Sequence, residues 1–211
     1  MSLVMKNEGG DFELLPEGTH LATCYMIIDL GDQVTTYQNK ESIKPQVMIG
    51  WEVTNELMQD GRPFVASRVY NSFFSEKANL RKDLESWRGK KFSDEELEGF
   101  DVSKLLNIPC QVTITHSTGE KTYANVSTVT GLPKGVEAPA LINDAVIYEQ
   151  GDEVAYQKLP EWIQKKINNA VKREENTGVS QTPSDPQNEA NGGGDIDDEI
   201  PFACFEKNMV I

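Results

Sequence analysis

The sequence predicts a mainly β fold: a five-stranded barrel with a helical insertion between strands 3 and 4, then a C-terminal helix and a disordered acidic tail. Three observations predict it. Apolar and polar residues alternate with period two in runs on both sides of one central segment. Within that segment the apolar spacing becomes helical. Past residue 174 large apolar residues become scarce while acidic residues accumulate.

Leu15-Pro-Glu-Gly18 reads as a turn, and an extended run from Thr19 to Leu30 follows, broken by Gly31-Asp32. A polar loop surrounds Tyr37-Gln-Asn-Lys40. In the second strand, Gln46 to Thr54, the side chains Val47, Ile49, Trp51 and Val53 share one face. Asp60-Gly61 signals a hairpin into the third strand, Phe64 to Asn71, where Val65 and Val69 oppose Phe64, Ala66, Arg68 and Tyr70. The period then changes. Ser75 is placed to cap a helix whose stripe is Ala78, Leu80, Leu84 and Trp87 and whose end is Gly89. Ser93-Asp-Glu-Glu96 is a capping box that opens a second short helix, and a third helical turn covers Val102 to Leu106. Strand character returns at Cys110, Val112, Ile114 and His116. The chain turns at Ser117-Thr-Gly-Glu120 and runs back from Thr122 to Thr130, and Gly131-Leu-Pro-Lys-Gly135 closes the unit. Three strands, a helical connection and a two-strand hairpin are the element order of the OB-fold.

Downstream, Pro160 suits the first turn of a helix. Trp162, Ile163, Ile167, Ala170 and Val171 make a narrow apolar stripe for the barrel or for another subunit. From Glu174 to Gly194, Pro183, Pro186 and Gly192-Gly-Gly194 break the chain. With little to bury against its ordering entropy, this stretch is expected to be disordered. The expected organisation is a core over 1–158, a helix over 159–173 and an acidic partner-binding tail over 174–211.

The formal net charge is −14. Glu174, Glu175, Asp185, Glu189, Asp195, Asp197, Asp198 and Glu199 contribute −8 of it with no Lys or Arg between them, leaving −6 for the rest. An acidic balance opposes phosphate binding, and its concentration on a separable tail weakens that objection. Cys24, Cys110 and Cys204 are scattered and odd in number, without CxxC spacing. They indicate neither a zinc site nor a disulfide framework, and a reduced, cytosolic setting fits best. The first ten residues lack the apolar run of a signal peptide, and no stretch reaches the length of a membrane span. A soluble protein is expected.

The sharpest local feature is Asp195-Ile-Asp-Asp-Glu-Ile-Pro-Phe202, an acidic run with an apolar hook behind a Gly-rich spacer. Carboxylates steer such a segment to a basic-rimmed pocket, and Phe202 anchors it. Asp197, Asp198, Glu199, Ile200, Pro201 and Phe202 are therefore the candidate partner-binding residues, against the plainer alternative of a solubilising tail. Residues 195–202 resemble the acidic tip of bacterial single-stranded DNA-binding proteins. In addition, Pro16-Glu-Gly-Thr-His20, Ile49-Gly-Trp-Glu52, Asp60-Gly-Arg-Pro-Phe64, the run from Glu76 to Gly89 and Gly99-Phe-Asp101 resemble a family of bacteriophage single-stranded DNA-binding or replication proteins. That resemblance covers most of residues 11–135. It implies coating of single-stranded DNA without sequence specificity in phage replication, recombination or repair. It also implies a place in the host bacterial cytoplasm and recruitment of host or phage proteins through the tail. One departure is plain: the bacterial tip ends on its Phe, whereas here Phe202 is followed by Ala203 to Ile211.

Sequence-independent binding of a single strand needs aromatic platforms for bases and cations for the backbone. In an OB-fold these come from strands 2 and 3 and the first and last hairpin loops. The candidates are Tyr37 and Lys40 in the first loop, Arg62 at the second hairpin, Arg68 and Tyr70 on strand 3, and Lys121 and Tyr123 beside the last turn. Tyr70 and Tyr123 read equally as half-buried sheet aromatics, and Trp51 falls in line with core positions. Lys77, Arg81, Lys82, Arg88, Lys90 and Lys91 make the helical connection locally basic, either a solvated face or a phosphate track.

Catalysis has little to stand on. His20 and His116 sit on different strands without a paired nucleophile, and no GxxxxGK[ST] loop is present. Asp83, Glu85 and Asp94-Glu-Glu96 read as solvated helix faces rather than a magnesium site. The expectation is a non-enzyme with no metal and no cofactor, and the apolar stripe after Pro160 leaves a homo-oligomer open. Two alternatives stand: a replication adaptor without DNA affinity of its own, and a metal-dependent nuclease.

Overall fold

The computed structural model describes residues 13–37, 39–119, 121–137 and 140–171. Tail residues 174–211, with the candidate hook Asp197 to Phe202, lie outside the described residues. The molecule is mainly β. An open antiparallel sheet runs in the order β3-β2-β1-β4-β5, formed by β1 (Gly18–Tyr37), β2 (Lys40–Leu57), β3 (Pro63–Asn71), β4 (Pro109–His116) and β5 (Ala124–Thr130). A short β6 (Val146–Tyr148) adds in parallel against Met26–Ile28 of β1. Between β3 and β4 lie α1 (Asn79–Arg88), α2 (Asp94–Glu98) and a 3₁₀ turn, Val102–Leu105; α3 (Glu153–Tyr156) and α4 (Glu161–Asn168) follow β6.

β1 organises the sheet because it pairs with different neighbours along its length. Gly18–Thr23 pairs with β4, and Thr23–Tyr37 pairs with β2. Register shifts at Cys24/Met26 and Asp29/Gly31 bend it. The strand does not end at Leu30 as the Gly31-Asp32 break predicts. Gly31 adopts a positive φ of 71° inside a bulge, its N–H is held by Asp29 Oδ1 at 2.8 Å, and pairing resumes as far as Tyr37. The expected polar loop is therefore a two-stranded ribbon, and β2 starts at Lys40 rather than at Gln46.

The strand alternation produces two apolar layers. Val47, Ile49, Trp51 and Val53 of β2 join Phe64, Ala66 and Tyr70 of β3, Leu80, Leu84 and Trp87 of α1, and Val112 and Ile114 of β4 in the larger core. Trp51 and Trp87 meet at 6.1 Å between ring centroids, so both are core residues. On the other face Tyr25, Met26, Ile28, Leu30 and Met48 are covered by Tyr148, Leu159, Ile163 and Ile167. The stripe of α4 is thus spent on this sheet. Gly50 lets Met26 and Tyr25 of this layer pack down onto β2, since a Cβ at that position would lie 2.8 Å from Met26 Cε.

Helix signals place three boundaries well. Gly89 ends α1 at φ 67°, Ser93 and Glu96 form the capping box of α2, and the 3₁₀ turn falls at Val102. Ser75 does not cap α1. Ala78 occupies that position without a side-chain bond, and the Ser75 carbonyl instead accepts from Ala78 N at 2.9 Å. β6 and α3 have too few residues to carry a period, and sequence reading passes over both.

Candidate nucleic-acid interface

The predicted binding residues separate into buried and exposed sets. Tyr70 is only 3% exposed, and its hydroxyl donates to Asp83 Oδ2 at 2.8 Å. It cannot serve as a stacking platform, which corrects the expectation from strand 3. The ring lies on the inner face with Phe64 and Ala66, and burial pushes its hydroxyl pKa well above the ordinary value, helped by the Asp83 charge. Arg68 is held in the same network. Its Nη1 lies 3.1 Å from Asp83 Oδ2 and donates to the Ser127 carbonyl of β5, also at 3.1 Å, and its guanidinium stacks 5.4 Å from the Tyr70 centroid. This side chain spans the gap between the two ends of the sheet. Its charge is answered by Asp83, and it ties β3 to β5.

The remaining candidates are at the surface. Arg62 Nε and Nη2 both contact Asp60 Oδ2, at 2.7 and 2.6 Å, within the β2–β3 turn. Lys40 is exposed at the tip of the β1–β2 ribbon, across from Tyr37. Lys121 is exposed beside the β4–β5 turn, where Tyr123 is half-buried and exchanges bonds with Ser117. The register sets these two tips at opposite ends of β1, Gly18 against Ile114 and Tyr37 against Lys40.

Ribbon register also sorts charge by face. Lys40, Ser42 and Lys44 alternate onto one side, whereas Glu41, Ile43 and Pro45 lie on the other. Around α1, Arg81 pairs with Glu85 at 2.9 Å and Arg88 pairs with Glu96, while Lys77, Lys82, Lys90 and Lys91 are exposed. The Arg88 hydrogen bond holds the Glu96 carboxyl down at about 2.

Three of the five carboxylates considered for metal chemistry are engaged within the chain: Asp83 by Tyr70 and Arg68, Glu85 by Arg81, and Glu96 by Arg88 and the Ser93 N–H, while Asp94 and Glu95 are exposed. Both histidines make hydrogen-bond contacts within the chain. His20 contacts Glu56 and the Pro16 carbonyl, and His116 contacts the Leu15 carbonyl at 2.8 Å. The buried thiols are pushed up by desolvation, Cys24 to about 12 and Cys110 further. Among the described residues, no helix is long and apolar enough to cross a membrane.

Two features escaped the sequence reading. Glu52, fully buried on the outer face of β2, accepts from Ile142 N at 2.6 Å and from Asn143 N at 2.9 Å, tying the downstream segment to the sheet. Phe73, just after β3, is 45% exposed beside a cavity. The adjacent pair Phe73-Phe74 in a polar connector was its available signal. No protein-family model matches the chain, and no curated protein matches it.

Proposed function

We propose that this protein binds single-stranded DNA without sequence specificity, on an OB-fold-type barrel, in phage DNA replication or recombination. The observation that carries the reading is topological. The order β3-β2-β1-β4-β5, with β1 shared between β2 and β4 and α1 placed between β3 and β4, is the arrangement an OB barrel requires. The Arg68 bond to the Ser127 carbonyl supports closure between the outer strands. Exposed Lys40 and Lys121 on the first and last hairpins, with half-buried Lys44, supply backbone contacts. The acidic Ile-Pro-Phe segment supports a second role, recruitment of partner proteins from the host cytoplasm.

One observation favours a different reading, an adaptor that docks replication proteins and has no useful DNA affinity. The outer faces of β1 and β2 are covered by residues of the 141–167 segment, and Arg62 and Arg68 are paired within the chain. Titration of a fluorescent oligo-dT at two salt concentrations separates the two. Binding that weakens as salt rises supports the first reading. No binding at low salt, with and without residues 176–211, leaves the adaptor. Cleavage of labelled DNA with magnesium or manganese would replace both with a nuclease.

A further inference from the structure

The connector after β3 forms part of the wall of a half-open cavity of about 390 Å³, lined by Val47, Phe73, Phe74, Leu80, Leu97 and Phe100 among others. That volume lies in the range of small-ligand pockets. Three features give it a particular character. Its walls include aromatic rings: Phe74 and Phe100 are 5.9 Å apart, and both belong to a cluster with Phe92. Its rim carries Phe73, which at 45% exposure is held out in solvent although an apolar cluster lies next to it. Its polar lining comes from Ser72, Glu98 and the backbone around Gly99, set beside the apolar side chains.

The rim is firmly built. Ser72 N donates to the Pro45 carbonyl at 2.8 Å, Phe73 N to the Asn71 carbonyl at 2.8 Å, and Arg81 Nη1 to the Phe74 carbonyl at 3.3 Å. The connector backbone is therefore held at both sides of Phe73, so that binding has mainly the ring itself left to order. Exposed Lys77 lies on the same connector, and exposed Lys104 follows Val102, which lines the cavity. A cleft with aromatic walls, an exposed aromatic ring in its lining and lysines on the neighbouring segments are what an unstacked nucleobase with its phosphates needs. The Glu98 carboxylate adds an acceptor, and every base has an N–H donor on its pairing edge.

We propose that this cavity accepts one nucleobase of the bound strand, with Phe73 stacking on it. The proposal rests on the single-stranded DNA reading and adds to it the place where a base, rather than the backbone, is held. It also answers the loss of Tyr70 as a platform.

The test uses the full chain and two fluorescein-labelled oligonucleotides of equal length, oligo-dT and an abasic strand. Wild type should prefer oligo-dT. Phe73→Ala should lose about tenfold on oligo-dT, the scale of one base–aromatic stack, and nothing on the abasic strand, whereas Phe73→Tyr should retain the preference. Gly99→Leu should give the same loss by filling the cavity. Its extended backbone, φ −176°, admits any residue, and a Cβ there meets no atom within 4 Å. If wild type binds both strands equally, or if Phe73→Ala weakens both alike, the base pocket is overturned while DNA binding stands, and a protein ligand becomes the occupant to test. If neither strand binds, with or without residues 176–211, both proposals fall.

Discussion

Replacing Tyr70 by Phe removes one hydroxyl from a buried network and one donor from Asp83 Oδ2, which keeps its pair with Arg68. A loss of about 1–2 kcal/mol in urea-unfolding stability is expected, with DNA affinity unchanged, because the ring does not reach the surface. An affinity loss as large as the stability loss would put Tyr70 back at the interface. Glu52 is more demanding. Its carboxylate faces two backbone N–H groups and the Asn143 amide, so Glu52→Gln turns an N–H donor toward donors. The expected cost is about 2–3 kcal/mol. Glu96 sets a pH dependence. Its carboxyl is lowered from 4.5 to about 2, chiefly by the Arg88 hydrogen bond. A depressed carboxylate stabilises the fold above its unfolded value and loses that contribution as pH falls through the folded one. Stability should therefore decline between pH 4.5 and 2, and Arg88→Gln should flatten that part of the profile in urea midpoints measured across the range.

At the scale of elements, α4 and the β1–β2 ribbon carry separable consequences. Ile163 is fully buried against the outer face of the sheet, so Ile163→Ala should cost about 2–5 kcal/mol. A cost below about 1 kcal/mol would mean that the helix contributes no core. Its apolar stripe was legible in the sequence, since Trp162, Ile163 and Ile167 recur at helical spacing. Its destination was not, because a stripe has the same period whether it meets its own sheet or another chain. The ribbon shows the opposite limit. Gly31-Asp32 reads locally as a break, yet a bulge absorbs the positive φ and the strand continues. Cross-strand pairing decides between these outcomes, and the partner strand is remote from the glycine's own neighbours. Lys40→Ala with Lys44→Ala should weaken DNA binding at every sequence and reduce the salt slope by about 2, one for each phosphate left without its lysine. An unchanged slope would take the ribbon out of the interface.

For the whole molecule, charge is the governing quantity. A chain of net −14 holds DNA only if its cations are gathered locally and its acid is kept elsewhere. Residues 174–199 hold −8 of that charge. Truncation after Glu175 should therefore raise affinity for oligo-dT and abolish partner recruitment in pull-downs. Weaker DNA binding by the truncated chain would mean that the acidic segment is not a competitor for the same cations.

Local periodicity by itself determined the β–helix–β succession, the inward set Val47, Ile49, Trp51 and Val53, the capping box at Ser93 and the end of α1 at Gly89. Each of these depends on interactions or dihedrals within a few residues, where side-chain spacing is sufficient information. Only the tertiary structure decided that Tyr70 and Arg68 face inward to Asp83, that α4 covers the sheet, and that Phe73 stands at the mouth of a cavity. Those outcomes depend on which remote segment supplies the partner. Alternation names the two faces of a strand, but burial is set by what arrives to cover them.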